Sequence, residues 1–119
     1  MKHLLVVDDE AEIRELLHDA LSSEDVRVTA VSSTVEAMQV LQTDPPDLVI
    51  TDLQLVDSDG FETIEQVKTL NPKLPIIMLT GVLMNPAEIP PAMARMIAAY
   101  LPKTTSLEEI VKTVRQCLS

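Results

Sequence analysis

Glycine is almost absent from this chain: Gly60 and Gly81 are the only two in 119 residues. Neither a G-x-G-x-x-G fingerprint nor a Walker A loop is present. Both need glycines that let backbone N–H groups approach phosphates, so a standard nucleotide cradle is excluded. Cysteine is reduced to Cys117, which rules out an internal disulfide and fits a reducing compartment. With no neighbouring histidine or basic cluster to lower its pKa, that thiol reads as a packing group rather than a nucleophile. No apolar run approaches the 18 residues of a membrane span, and no charged-then-apolar leader precedes the first apolar segment. A cytoplasmic protein is the expectation. Cations are also few: 9 Lys and Arg against 19 Asp and Glu give a net charge of −10. That balance argues against nucleic-acid binding by this chain alone and against adhesion to anionic membranes.

What is present is a regular alternation. The length suits one domain covering residues 1–119, and 46% apolar content indicates a packed core. His3–Val7, Val26–Val31, Leu48–Thr51, Pro75–Leu79 and Ala99–Leu101 read as five strands. Glu10–Ser22 reads as a helix with Ile13, Leu16, Leu17, Ala20 and Leu21 on one face. Ser33-Thr34-Val35-Glu36 is a capping box opening a second helix, with Val35, Met38, Val40 and Leu41 as candidate buried positions. Asp59–Leu70 reads as a third helix, closed by the turn Asn71-Pro72, and Ala92–Ala98 as a short fourth. Thr105-Ser106-Leu107-Glu108 is a second capping box, starting a last helix that runs to about Cys117. Strands alternating with helices imply βαβ units and a parallel sheet covered on both faces.

Within that frame the strand ends carry unusual chemistry. Asp8 and Asp9 end the run Leu4-Leu5-Val6-Val7, and Asp52 ends Leu48-Val49-Ile50-Thr51. Neighbouring parallel strands would bring these acids to the carboxyl edge of the sheet, where open α/β folds bind ligands. Like charges about 4 Å apart repel by roughly 4 kcal/mol at an effective dielectric near 20. A cation or a shared proton makes such a cluster tolerable, which points to a divalent metal. Thr80 follows the fourth strand, and Lys103 follows Tyr100-Leu101-Pro102 at the fifth. Taken singly, each has a plainer reading: the aspartates as helix caps, Thr80 as a turn residue, Lys103 as solvated surface, Tyr100 as packing. Together they are three carboxylates, a hydroxyl and an ammonium on one edge. His3 and His18 belong to no metal-ligand spacing and read as structural or exposed.

This set resembles the receiver domain of two-component response regulators, over nearly the whole chain. The resemblance is carried by Asp8-Asp9, by Thr51-Asp52-Leu53-Gln54-Leu55 with Asp59-Gly60 downstream, by Thr80-Gly81 and by Lys103. It implies a single doubly wound (βα)5 flavodoxin-like α/β domain with five parallel strands in the order 2-1-3-4-5. It implies a signalling switch rather than an enzyme, one that catalyses its own phosphorylation and dephosphorylation. Asp52 is the implied phosphoacceptor, taking a phosphoryl group from a phosphohistidine of a sensor histidine kinase or phosphotransfer protein. Mg2+ is the implied cofactor, held by Asp9, Asp52 and the backbone carbonyl of Gln54, with Asp8 acting mostly through a coordinated water. Lys103 and Thr80 would meet the phosphoryl oxygens, and Tyr100 would turn inward as Thr80 is drawn to them. The implied output is a downstream protein partner on the surface of helix 4, strand 5 and helix 5, with a phosphorylation-dependent homodimer also compatible.

Four departures from the family pattern stand out. Val56 replaces a proline usually found after the phosphoacceptor, and Pro102-Lys103 inverts the usual Lys-Pro, so a trans Lys103–Thr104 bond is expected. The stretch after Thr80 carries Pro86, Pro90 and Pro91, and Met96-Ile97-Ala98-Ala99 replaces the small-Gly turn before strand 5. Met84, Met93 and Met96 cluster there, either packing on the sheet or forming an adaptable partner surface. Two other functions compete. A pseudo-receiver would be an interaction module without phosphorylation. A haloacid-dehalogenase-like phosphatase would need an Asp where Gln54 stands, and a cap domain.

Overall fold

The computed structural model describes residues 1–52, 60–81 and 91–118. Five strands, β1 (Lys2–Val7), β2 (Val26–Val31), β3 (Leu48–Thr51), β4 (Ile76–Thr80) and β5 (Ala99–Pro102), alternate with α1 (Ala11–Leu21), α2 (Thr34–Thr43), α3 (Gly60–Leu70), α4 (Pro91–Ala94) and α5 (Leu107–Leu118). The strands form one parallel sheet in the order β2-β1-β3-β4-β5. This is the doubly wound arrangement the resemblance implies.

Period-two alternation of the strands builds two cores from one sheet. Leu5 and Val7 of β1, Val49 of β3, and Ile76 and Met78 of β4 pack with Ala37 and Leu41 of α2 and Ile64 and Val67 of α3. Their neighbours Leu4, Val6, Leu48, Ile50, Ile77 and Leu79 face the other way, against Leu17 and Leu21 of α1 and Ile110, Val114 and Leu118 of α5. The central strands are therefore apolar at consecutive positions because both their faces are covered.

Several boundaries and faces differ from the sequence reading. Pro91 opens α4, which ends at Ala94 rather than Ala98; its fixed φ suits the first helical position. β5 extends to Pro102, which pairs with Thr80 on an edge strand, where a missing N–H is tolerated. Val35 is 63% exposed and Leu16 is 47% exposed, although both were expected on buried faces. In α2 the buried face is Thr34, Ala37 and Leu41, because the Thr34 hydroxyl is hydrogen-bonded to that of Thr63 at 2.7 Å. A polar residue with a buried partner displaces an apolar one to the surface. The first capping box forms as read: the Ser33 hydroxyl accepts from the Glu36 N–H at 3.2 Å. The second is set one residue later, with Ser106 accepting from the Glu109 N–H.

His3 is structural: it is buried, its Nε2 lies 2.7 Å from the Thr29 hydroxyl, and its N–H donates to Asp47. Cys117 is half-buried, packs on the α1/α5 side, and burial pushes its thiol pKa up. Met96 and Ile97 pack against the α2/α3-side core, which favours the packing reading for Met96; Met84 and the Met93 side chain lie outside the described residues, as do Val56, Val82, Pro86 and Pro90. Among the described residues no helix is long and apolar enough to cross a membrane.

Candidate functional site

Register, not proximity in sequence, builds the acidic site. Val7 of β1 pairs with Thr51 of β3, so the next residues, Asp8 and Asp52, emerge side by side at the carboxyl edge. Backbone bonds fix both: Asp52 N–H donates to Val7 O at 3.0 Å, and Asp8 N–H donates to Val31 O at 3.1 Å. Both side chains are buried, with Asp8 2% and Asp52 4% exposed, while Asp9 is exposed at the mouth.

On the far side, β4 and β5 supply the cation. Thr80 ends β4 fully buried, and its carbonyl accepts the Lys103 N–H at 2.7 Å. That bond ties the residue after β5 to the end of β4. The Lys103 stem passes over Gly81, where a Cβ would meet its Cδ at 3.7 Å. The Lys103–Thr104 bond is trans, and the side chain still reaches the acids. Its Nζ lies 2.8 Å from Asp52 Oδ2, 3.0 Å from Asp8 Oδ2 and 2.6 Å from Glu10 Oε1. The inverted Pro102-Lys103 order therefore leaves Lys103 aimed at the site.

The electrostatics follow from burial. Removal from water pushes the Asp8 pKa above the ordinary carboxylate range, against the Glu10 N–H and Lys103, which favour its ionised form. For Lys103, burial opposes the charge, yet hydrogen bonds to Asp52, Glu10 and Asp8 outweigh it and hold the pKa above the usual lysine range. Lys103 is thus a fixed cation at working pH.

Asp8, Asp9, Glu10 and Asp52 each offer an oxygen, all within 4.8 Å of one another. Among the described residues, Lys103 and the nearby Arg14 guanidinium are the cations set against these four carboxylates, which leaves excess negative charge. An all-oxygen, anionic donor set suits a hard divalent cation such as Mg2+ rather than a soft metal. Gln54, whose carbonyl was expected to join the set, lies outside the described residues. Tyr100 on β5 is half-buried and packs against the α2/α3-side core, as do Met96 and Ile97.

Two site residues escaped sequence reasoning. Glu10 read only as the start of a helix; the unbroken run Asp8-Asp9-Glu10 was the available signal. Arg14 donates from Nη1 to the Asp8 carbonyl at 2.7 Å, a contact made by the first turn of α1 folding back on β1 and invisible in the spacing.

A testable consequence concerns Asp8. A carboxyl whose folded pKa is raised binds its proton more tightly in the folded state, so stability falls as pH rises from near 3.8 through the folded pKa. In chelator at neutral pH, Asp8→Asn is expected to raise the melting temperature by about 4 °C, on the order of 1 kcal/mol. Below about pH 4 the advantage disappears, and Mg2+ narrows it. Calorimetry across pH 3–8 checks this; equal melting temperatures at neutral pH would show that the buried charge is fully compensated.

Known proteins fit this geometry. The family model for the response regulator receiver domain matches residues 4–115. Response regulator MprA of Mycobacterium ulcerans is 32% identical over 97% of this chain and 49% of its own length. The DNA-binding transcriptional regulator NtrC of Escherichia coli is 30% identical over 96% of this chain and 24% of its own. The chain thus spans half the length or less of these relatives. Among solved structures, the non-phosphorylated HemR receiver domain from Leptospira biflexa superposes with a TM-score of 0.89 at 25% identity, covering 100% of this chain and 95% of that one. A CheY-like receiver domain from Methylobacillus flagellatus shares the fold, with a TM-score of 0.84 at 18% identity over 98% of each chain. With β3 and β1 delivering their acids to one edge, β5 returning a lysine to them, and a family match from residue 4 to 115, this chain belongs to the response regulator receiver domains, the signalling switches of two-component systems.

Proposed function

We propose that this chain, as one receiver unit over residues 1–119, accepts a phosphoryl group on Asp52 in a Mg2+-dependent reaction with a histidine kinase or phosphotransfer protein. The observation that carries this reading is the Asp52 carboxylate, buried at the end of β3, with the Lys103 ammonium 2.8 Å away and Asp8 and Asp9 beside it. An Asp52 oxygen forms the new O–P bond as the N–P bond of the donor phosphohistidine breaks, its electron pair staying on the imidazole nitrogen. Lys103 holds positive charge against the transferred oxygens throughout. The Thr80 hydroxyl, at the adjoining strand end, donates to a phosphoryl oxygen.

Asp9 and Asp52 would hold Mg2+ directly, with the Gln54 carbonyl, and Asp8 through water. When bound, Mg2+ neutralises the surplus carboxylate charge and that of the transferring group. The added phosphoryl charge then draws the Thr80 hydroxyl to it, Tyr100 turns inward, and the surface of α4, β5 and α5 changes for a downstream protein.

Intact mass after incubation with Mg2+ and acetyl phosphate tests the chemistry. Wild type is expected to gain one phosphoryl group and Asp52→Asn none. No gain in wild type, with no Mg2+ binding, would overturn the reading in favour of a phosphorylation-independent interaction module.

A further inference from the structure

Glu10 holds the shortest of the three carboxylate contacts to Lys103, at 2.6 Å, and although its oxygen lies within reach of the acidic cluster, the Mg2+ set and phosphoryl transfer proposed above give it no part. An ammonium has three N–H donors. Here Asp8, Asp52 and Glu10 take them all. During transfer an incoming phosphoryl oxygen needs a donor of the same cation while Asp52 still holds one, so one of the other partners must let go.

The three partners are not equal. Asp8 and Asp52 are buried, and Asp8 is tied by the Glu10 N–H at 2.9 Å. Losing Lys103 would take the buried Asp8 carboxylate from its ammonium partner, which is costly, and Asp52 is the attacking group itself. The Glu10 side chain is 59% exposed. On release its carboxylate returns to water at little cost. Its backbone, just ahead of α1, stays anchored because its carbonyl accepts from the N–H groups of Ile13 and Arg14, each at 3.1 Å. The side chain can therefore move without disturbing the sheet.

We propose that Glu10 is a positioning residue that acts through Lys103: it occupies the third donor of the ammonium in the unphosphorylated protein and yields it to the phosphoryl group. This rests on the function proposed above. Glu10 thereby sets how readily the site accepts a phosphoryl group, without touching the reacting atoms.

Two substitutions separate this role from simple negative charge at the mouth. Glu10→Gln removes the charge and weakens the contact. Glu10→Asp keeps the charge, but its side chain is one methylene too short to reach Nζ. Initial rates of phosphorylation by acetyl phosphate at saturating Mg2+, read by intact mass, are expected to rise about fivefold in both variants. In a Lys103→Met background, Glu10→Gln is expected to change nothing. Unchanged rates in Glu10→Gln overturn the proposal; a faster Gln variant with an Asp variant at the wild-type rate overturns it in favour of a through-space field. Hydrogen exchange of the Lys103 ammonium, followed by NMR in unphosphorylated protein, gives a second readout. Faster exchange in both variants supports the contact, and unchanged exchange overturns it. That readout tests the Glu10–Lys103 contact even if wild type accepts no phosphoryl group, an outcome that would defeat the proposed function and, with it, the yielding step.

Discussion

Lys103→Met is expected to slow phosphoryl acceptance from acetyl phosphate by about a hundredfold while tightening Mg2+ binding. The two effects have opposite signs because Lys103 does two things. On the proposed function, this fixed cation 2.8 Å from Asp52 would stabilise the transferring charge, and loss of one such preorganised group costs on the order of 10² in rate. As a partner of Asp8, Glu10 and Asp52, it competes for oxygens of the acidic cluster. Without it, the buried Asp8 and Asp52 carboxylates lose their shared ammonium partner, and the folded state in chelator is expected to lose about 3 kcal/mol at neutral pH. Added Mg2+ is expected to restore most of that by binding the folded state alone. Thermal unfolding with and without Mg2+, beside mass-detected phosphorylation, checks both halves. A Lys103→Met protein as stable as wild type in chelator would show that the acids are neutralised by something other than Lys103.

Ile77→Ala is expected to give the largest loss of stability, about 3–4 kcal/mol. Ile77 is fully buried in β4, a strand flanked by β3 and β5, and packs on the side covered by α1 and α5. Both neighbouring strands are fixed by ladder bonds, so little can collapse into the space left behind. The denaturant midpoint should fall with an unchanged slope. A loss below about 1 kcal/mol would mean that α1 or α5 moves in to fill the cavity. Ile77 lies in the strand that ends in Thr80, so phosphorylation of the surviving folded fraction also reports how rigidly β4 carries the site.

The relation between sequence and structure differs from element to element. Leu4–Val7, Leu48–Thr51 and Ile76–Leu79 were legible as strands because burial on both faces leaves runs of consecutive apolar residues. Ser33 and Glu36 announced a helix start because a capping hydroxyl acts within three residues. Asp8, Asp9, Asp52, Thr80 and Lys103 were legible as a set because each stands at or just beyond the end of a strand. A parallel sheet delivers all its carboxyl ends to one edge. The faces of α1 and α2 were less legible: Leu16 and Val35 look buried by periodicity and are exposed. The orientation of α2 is settled by Thr34 finding Thr63 on α3, a partner 29 residues away.

By itself, then, the sequence determined the alternation of strands and helices, the placing of acids, hydroxyl and lysine at strand ends, and the surplus of negative charge that calls for a cation. These are local properties: period, capping and residue type act over a few positions along the chain. Only the tertiary structure decided that the Val7–Thr51 register sets Asp8 beside Asp52, that the Thr80 carbonyl pins Lys103 against them, and that Glu10 joins Asp8 and Asp52 on one ammonium. Those contacts join residues as many as 95 positions apart. Their distances come from strand pairing and side-chain reach in three dimensions, which no pattern along the chain encodes.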